Sequence, residues 1–280
     1  MGPGRGSPLL GLFLALLVAC SRQPPPCPEN GAPATRKSAP FGQIWVGTRI
    51  NVDGIEQVNP QVANAFFNVP EAYVIETGDT WPWSSSSKRT AYWASADEFE
   101  RDVREQGGSL PGVHAALYDP ESWRATPIEE QRDPGSAMRG FSELARGLGY
   151  GVVITPGLKL ADVEGAACTK SRDETEYDAY LRCDIAGTAA RFADVVEIQA
   201  QTREADPEAY REFVAAAAKQ AREANPGVKV VSGFRVRNVE DIEKVQRTWL
   251  AVRDVVDGHY LAMSPGDAAV LLRWISSCAS

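Results

Sequence analysis

VVEIQAQ, residues 195–201, decides between two architectures. Successive side chains on a strand point to opposite faces. Glu197, Gln199 and Gln201 therefore share one face, and Val196, Ile198 and Ala200 share the other. A polar row turned inward and an apolar row turned toward helices suit the wall of a closed barrel. An open doubly wound sheet would be expected to announce itself by a Gly-rich phosphate loop at the start of a helix, and no such loop occurs.

Working outward, the same kind of short apolar run recurs at 44–48, 72–77, 113–118, 151–156, 229–234 and 258–263. The spacing is mostly that of βα repeats, which join parallel strands through helical crossovers. Helix-start signals fall between the runs. Ser95 with Glu98 reads as a capping box, Asp133-Pro134 and Asp206-Pro207 as caps followed by Pro at the first helical position, and Asn238 as a further cap. The predicted fold is α/β, a (β/α)8-type TIM barrel with seven clear βα units. The eighth strand is expected within 49–70, unless the barrel is irregular. The stretch TWPWSSSSKRTAYW, 80–93, reads as a long polar and aromatic loop after the second strand.

The N-terminus reads as a separate device. Residues 1–19 carry one positive charge and an apolar run from Leu9 to Ala19, as in a signal peptide. The run closes on Leu17-Val18-Ala19-Cys20, which resembles a bacterial lipobox; that resemblance implies cleavage before Cys20 and lipidation of its thiol. Residues 20–40 form a Pro-rich tether, and 41–280 form one barrel domain. The expected location is the outer face of a bacterial membrane. Four further cysteines are an even number in an exported chain, so Cys168 is expected to pair with Cys183 and Cys27 with Cys278. No CxxC pair or nearby His favours a metal site, and none is predicted. The formal charge of −8 argues against a nucleic-acid partner.

Barrel enzymes carry their chemistry at the C-terminal ends of the strands. That rule places His114 and His259 at strand beginnings, away from any site. It brings carboxylates, amides and aromatics to the opposite rim: Glu76, Trp81 and Trp83 after the second run, Tyr118, Asp119, Glu121 and Trp123 after the third, Glu197, Gln199 and Gln201 on the fifth, and Arg235 after the sixth. Cleaving a glycosidic bond requires two carboxyl groups. Indole and phenol rings cover the apolar faces of sugars while amides hold the hydroxyls. Asp119, Glu121 and Glu197 are therefore the candidate catalytic carboxyls. Glu76, Trp81, Trp83, Tyr118, Trp123, Gln199, Gln201 and Arg235 are the candidate substrate-binding residues. Each acid also has a structural reading: Glu76 as an ion-pair partner of Arg49 or Arg235, Asp119 as a turn former, Glu129, Glu130 and Asp133 as a solvated loop and helix start.

The run YDPESWRATPIEEQRDP (118–134), followed by GYGVVITPG and VVEIQAQ, resembles a largely uncharacterised family of exported bacterial barrel proteins that are glycoside-hydrolase-like by fold. Its most specific part is W-x-x-T-P-x-x-E-Q-x-D-P: Trp123, Thr126, Pro127, Glu130, Gln131, Asp133 and Pro134. The resemblance implies the barrel and supplies no catalytic pair; the DxxDxDxE signature of chitinase-type barrels is absent. The expectation is a lipid-anchored glycoside hydrolase-like enzyme without a cofactor, with a carbohydrate or other small molecule as its ligand. The alternative is a barrel that binds a glycan or solute without cleaving it.

Overall fold

The computed structural model describes residues 25–27, 42–76, 86–235 and 242–278. Its strands are β1 (Ile44–Thr48), β2 (Tyr73–Glu76), β3 (Lys88–Trp93), β4 (Ala115–Tyr118), β5 (Gly151–Ile154), β6 (Val195–Ile198), β7 (Lys229–Phe234) and β8 (Gly258–Leu261). They close in sequence order into a barrel, every neighbouring pair parallel, with β1 completing the ring on β8. The helices are α1 (Arg49–Val58), α2 (Pro60–Phe67), α3 (Ala96–Glu105), α4 (Ile128–Arg132), α5 (Pro134–Gly147), α6 (Glu176–Arg182), α7 (Ile185–Ala190), α8 (Pro207–Ala224), α9 (Ile242–Val252) and α10 (Pro265–Cys278). The chain is a (β/α)8 barrel.

The eighth strand is not within 49–70, which folds as α1 and α2. It is β3, formed by Lys88–Trp93 from the end of the stretch read as a loop. Its polar residues are each accommodated. Lys88 points into the barrel and reaches the Tyr73 hydroxyl at 2.8 Å, while Arg89 points outward and pairs with Glu76 at 3.0 Å. Residues 77–85, with Trp81 and Trp83, lie outside the described residues, as do Cys20, the leader, most of the tether and Asn238.

Alternation along each strand divides two apolar layers. Val46, Tyr73, Ile75, Ala115, Leu117, Val153, Val195 and Val231 fill the inside of the barrel. Val74, Ala116, Tyr118, Val152, Ile154, Val196, Ile198, Val230 and Phe234 face the helices. Burial of one such large side chain contributes roughly 1.5–3 kcal/mol, so a slip of one residue in any strand would exchange the layers and is strongly disfavoured.

Asp133 accepts from Ser136 N, and Asp206 from Glu208 N and Ala209 N, opening α5 and α8 as the sequence suggests. At α3 the reading needs correction. Ser95 accepts from Glu98 N, but the carboxylate that returns to the helix start is that of Glu130, which accepts from Ser95 Oγ, Ala96 N and Asp97 N. Glu130 is thus a buried brace rather than part of a solvated loop. Disulfides join Cys168 to Cys183 and Cys27 to Cys278. No described helix is long and apolar enough to cross a membrane.

Candidate active site in the barrel mouth

The C-terminal ends of the strands surround a cavity of about 690 Å³. Asp119, Glu121, Glu197, Gln199, Gln201 and Arg235 all line it, contributed by the ends of β4, β6 and β7. Thr48, Asn51, Tyr92, Thr155 and Tyr260 add to the polar lining, with Ser122, Lys159, Glu176 and Thr202 further out.

Asp119 is the centre of the network. Its backbone N–H extends the β3–β4 ladder to Trp93 O, which turns the side chain inward after Leu117. Thr155 Oγ1 donates to Asp119 Oδ1 at 2.6 Å, Gln199 Nε2 to the same oxygen at 3.2 Å, and the Tyr92 hydroxyl to Oδ2 at 3.1 Å. Three donors stabilise the carboxylate, yet loss of water outweighs them and the neighbouring Glu121 adds repulsion. Asp119 is pushed up to about 6.

Glu121 lies at the mouth within reach of Gln199 Nε2, 3.4 Å from Oε1. Partial burial raises its pKa, while the Gln199 hydrogen bond and the Arg235 guanidinium pull it back down. Glu197 sits deepest, 2% exposed, and accepts from Gln201 Nε2 at 3.0 Å. Burial pushes its pKa well above the carboxylate range, and the charges of Asp119 and Glu121 push the same way. The cavity therefore holds a graded set of acids, the innermost raised most strongly by burial and the outermost raised with Arg235 partly offsetting the shift.

Two glycines make room for this set. A Cβ on Gly233 would lie 2.3 Å from Glu197 Oε1 and 2.2 Å from Gln201 Nε2. A Cβ on Gly157 would lie 2.8 Å from Glu121 Cγ. All three distances are shorter than real Cβ contacts, so Glu197, Gln201 and Glu121 occupy space that glycine leaves free.

The motif around Trp123 holds Glu121 in place. Thr126 Oγ1 accepts from Glu121 N at 3.2 Å and from Trp123 Nε1 at 2.9 Å, and donates to Ala94 O at 2.8 Å. Gln131 Nε2 ties down the carbonyls of Trp123 and Thr126. The residues that carry the family resemblance thus act as a frame behind the mouth.

Several sequence expectations are not met. Tyr118 faces the helices, stacked on Phe141 with its hydroxyl on Glu130 at 2.6 Å, and does not reach the cavity. Glu76 also faces outward, between Arg49 at 3.6 Å and Arg89 at 3.0 Å; a buried carboxylate there is matched by cations rather than by substrate. Trp123 is 42% exposed and is not among the lining residues. His114 precedes β4 at the far end, its Nδ1 accepting from Arg89 N. His259 packs toward the helix layer against Trp45 and Phe234, and burial lowers its pKa to about 3. Neither imidazole lines the cavity. Among the described residues no group of three or more His, Cys, Asp or Glu is placed to hold a metal ion.

Tyr92, Thr155, Tyr260 and the two glycines were missed by sequence reasoning. Tyr92 was hidden by the loop reading of β3. Thr155 and Tyr260 were accessible from parity, two residues from Val153 and within an assigned strand respectively.

No family model matches the chain, and no curated relative matches it. Solved structures do. A GH128 subgroup III curdlan-specific exo-β-1,3-glucanase from Blastomyces gilchristii, in complex with glucose, aligns at 10% identity over 81% of this chain and 97% of that one, TM-score 0.50. A β-1,3-glucanosyltransferase active-site mutant from Rhizomucor miehei aligns at 11% identity over 78% and 86%, TM-score 0.42. A Schiff base-forming fructose-1,6-bisphosphate aldolase aligns at 12% identity over 85% and 95%, TM-score 0.46. What is shared is the fold. The choice of chemistry belongs to the chain's own side chains.

Proposed function

We propose that this protein is a lipid-anchored, extracytoplasmic glycoside hydrolase acting on a cell-wall or extracellular glycan. The observation that carries the reading is the convergence of Asp119, Glu121 and Glu197 in one cavity, all with raised pKa and with Glu197 the most strongly raised. Environments that separate the pKa values of neighbouring carboxyls mark an acid and a base. Among the described residues the one lysine lining the cavity, Lys159, is solvent-exposed and pairs with Glu176 at 3.9 Å, a poor setting for an amine nucleophile.

In this reading Glu197 keeps its proton at neutral pH and gives it to the departing glycosidic oxygen. Positive charge then develops at the sugar ring carbon. Glu121, ionised beside Arg235, stabilises that charge and supplies the carboxylate for attack, either directly or by taking a proton from water. Asp119, fixed by three donors, adds negative potential between the two. Gln199 and Gln201 orient the carboxyls and present spare hydrogen-bonding capacity to hydroxyls. Proton transfer of this kind contributes typically about 10²- to 10⁴-fold.

The Cys20 lipobox, the tether and the two disulfides support export and anchoring. The test is to incubate the chain from Ser21 onward with cell-wall and exopolysaccharide fractions and measure released sugar. Release supports hydrolysis. Retention of a glycan without release would replace this reading with that of a binding barrel.

A further inference from the structure

The Cys27–Cys278 disulfide lies at one particular end of the barrel. α10 leaves β8 at the mouth and runs back along the barrel, so Cys278, its last residue, sits at the face opposite Asp119, Glu121 and Glu197. Trp274, one turn earlier and buried, donates from Nε1 to Pro25 O at 3.3 Å. Pro25–Cys27 are thus held twice to that face, far in sequence from the strand they precede. Four residues separate Pro25 from Cys20, a span of about 18 Å at full extension. Without the clamp, the free chain from Cys20 to Gly42 would reach about 75 Å.

Resting on lipidation of Cys20, we infer that the disulfide and the Trp274 contact convert a long tether into a short one fixed at the N-terminal end of the barrel, so that this face is apposed to the bilayer and the mouth opens away from it. The recess at that face carries Lys88, Lys229 and Arg253 beside Glu71 and Asp257, so a phospholipid surface meets a mixed field despite the chain's formal charge of −8. α8 has 18 residues, which makes the barrel wall about 27 Å deep. The cavity therefore opens about that far above the lipid headgroups and faces away from them. The substrate class that fits is a polymer arriving from the outer side.

The test uses the full chain, produced in cells that lipidate it and reconstituted in liposomes containing an energy-acceptor lipid. A donor is placed by a non-natural amino acid, leaving the cysteines intact, at exposed Gln106 after α3 or at exposed Arg124 in the loop at the mouth. Transfer from Gln106 should exceed that from Arg124 by about two-fold or more, given the depth of the barrel. In Cys27→Ser/Cys278→Ser the difference should shrink toward none. Equal transfer from the two sites, the reverse order, or a difference untouched by the double substitution would overturn the inference. Should the double variant fail to fold, the two-site comparison in the native chain decides alone. A chain that does not enter the membrane fraction overturns the inference as well, while glycan release by the chain from Ser21 tests the hydrolase reading independently.

Discussion

Asp119→Asn removes one charge from the cavity while keeping the shape of the side chain. Asn Oδ1 can still accept from Thr155 and Gln199, and the Tyr92 hydroxyl can rotate to accept from Nδ2. In the unfolded chain Asp119 titrates near 3.8; in the native cavity it is pushed up to about 6, chiefly by burial. Well below pH 3.8 both states hold the proton and the neutral acid is well tolerated. Between pH 4 and 6 the unfolded chain releases it first, so native stability falls as pH rises, and above 6 the native state bears the full cost. That cost is about 3 kcal/mol, from roughly two pKa units at 1.36 kcal/mol each. The variant escapes it. Thermal unfolding at pH 3.5 should show Asp119→Asn within a degree or two of the native chain, and at pH 7.5 the variant should melt higher by roughly 6–12 °C for a domain of this size. Part of the gain will be read through Glu121 and Glu197, whose ionisation is coupled to the same charge. A difference that is flat from pH 3.5 to 7.5, or a variant less stable at the higher pH, would refute the reasoning.

Gly233→Ala should displace Glu197 and Gln201, because its methyl falls on their polar atoms. The expected result is a loss of about 1–3 kcal/mol in urea unfolding and at least a tenfold drop in glycan release, whereas Gly140→Ala, mid-helix in α5 with open space around it, should leave release unchanged and should not lower stability. Glu130→Ala leaves the Tyr118 hydroxyl, the Ser95 hydroxyl and the first amides of α3 without their acceptor. Urea unfolding should report a loss of about 3 kcal/mol or more, since each buried donor stranded costs roughly 1–3.

Much of the barrel was legible because its strands are apolar where they meet helices and its helices carry local caps. β3 was not, since Lys88, Arg89 and Thr90 present polar atoms to both faces and find partners in distant residues such as Tyr73 and Glu76 and in backbone carbonyls. Strand parity held more than was drawn from it. Leu117 and Asp119 share the inner face of β4, so Tyr118 between them had to point outward, and Glu76 next to inward Ile75 likewise. The row Glu197, Gln199 and Gln201 was read by that same rule and does line the cavity. Glu130 could not be read locally: its partners Ser95, Ala96 and Asp97 lie more than thirty residues upstream. The need for Gly157 and Gly233 is also invisible in one dimension, because it arises only when neighbouring strands bring Glu121 and Glu197 against them.

In the proposed reaction a protonated Glu197 acts with an ionised Glu121 on a glycosidic bond. The most direct measurement is sugar release from one susceptible glycan fraction by the native chain and by Glu197→Gln, alongside retention of the intact glycan by both. Release by Glu197→Gln should fall about 10²-fold or more with retention preserved. Release by Glu197→Gln at the native rate would contradict it.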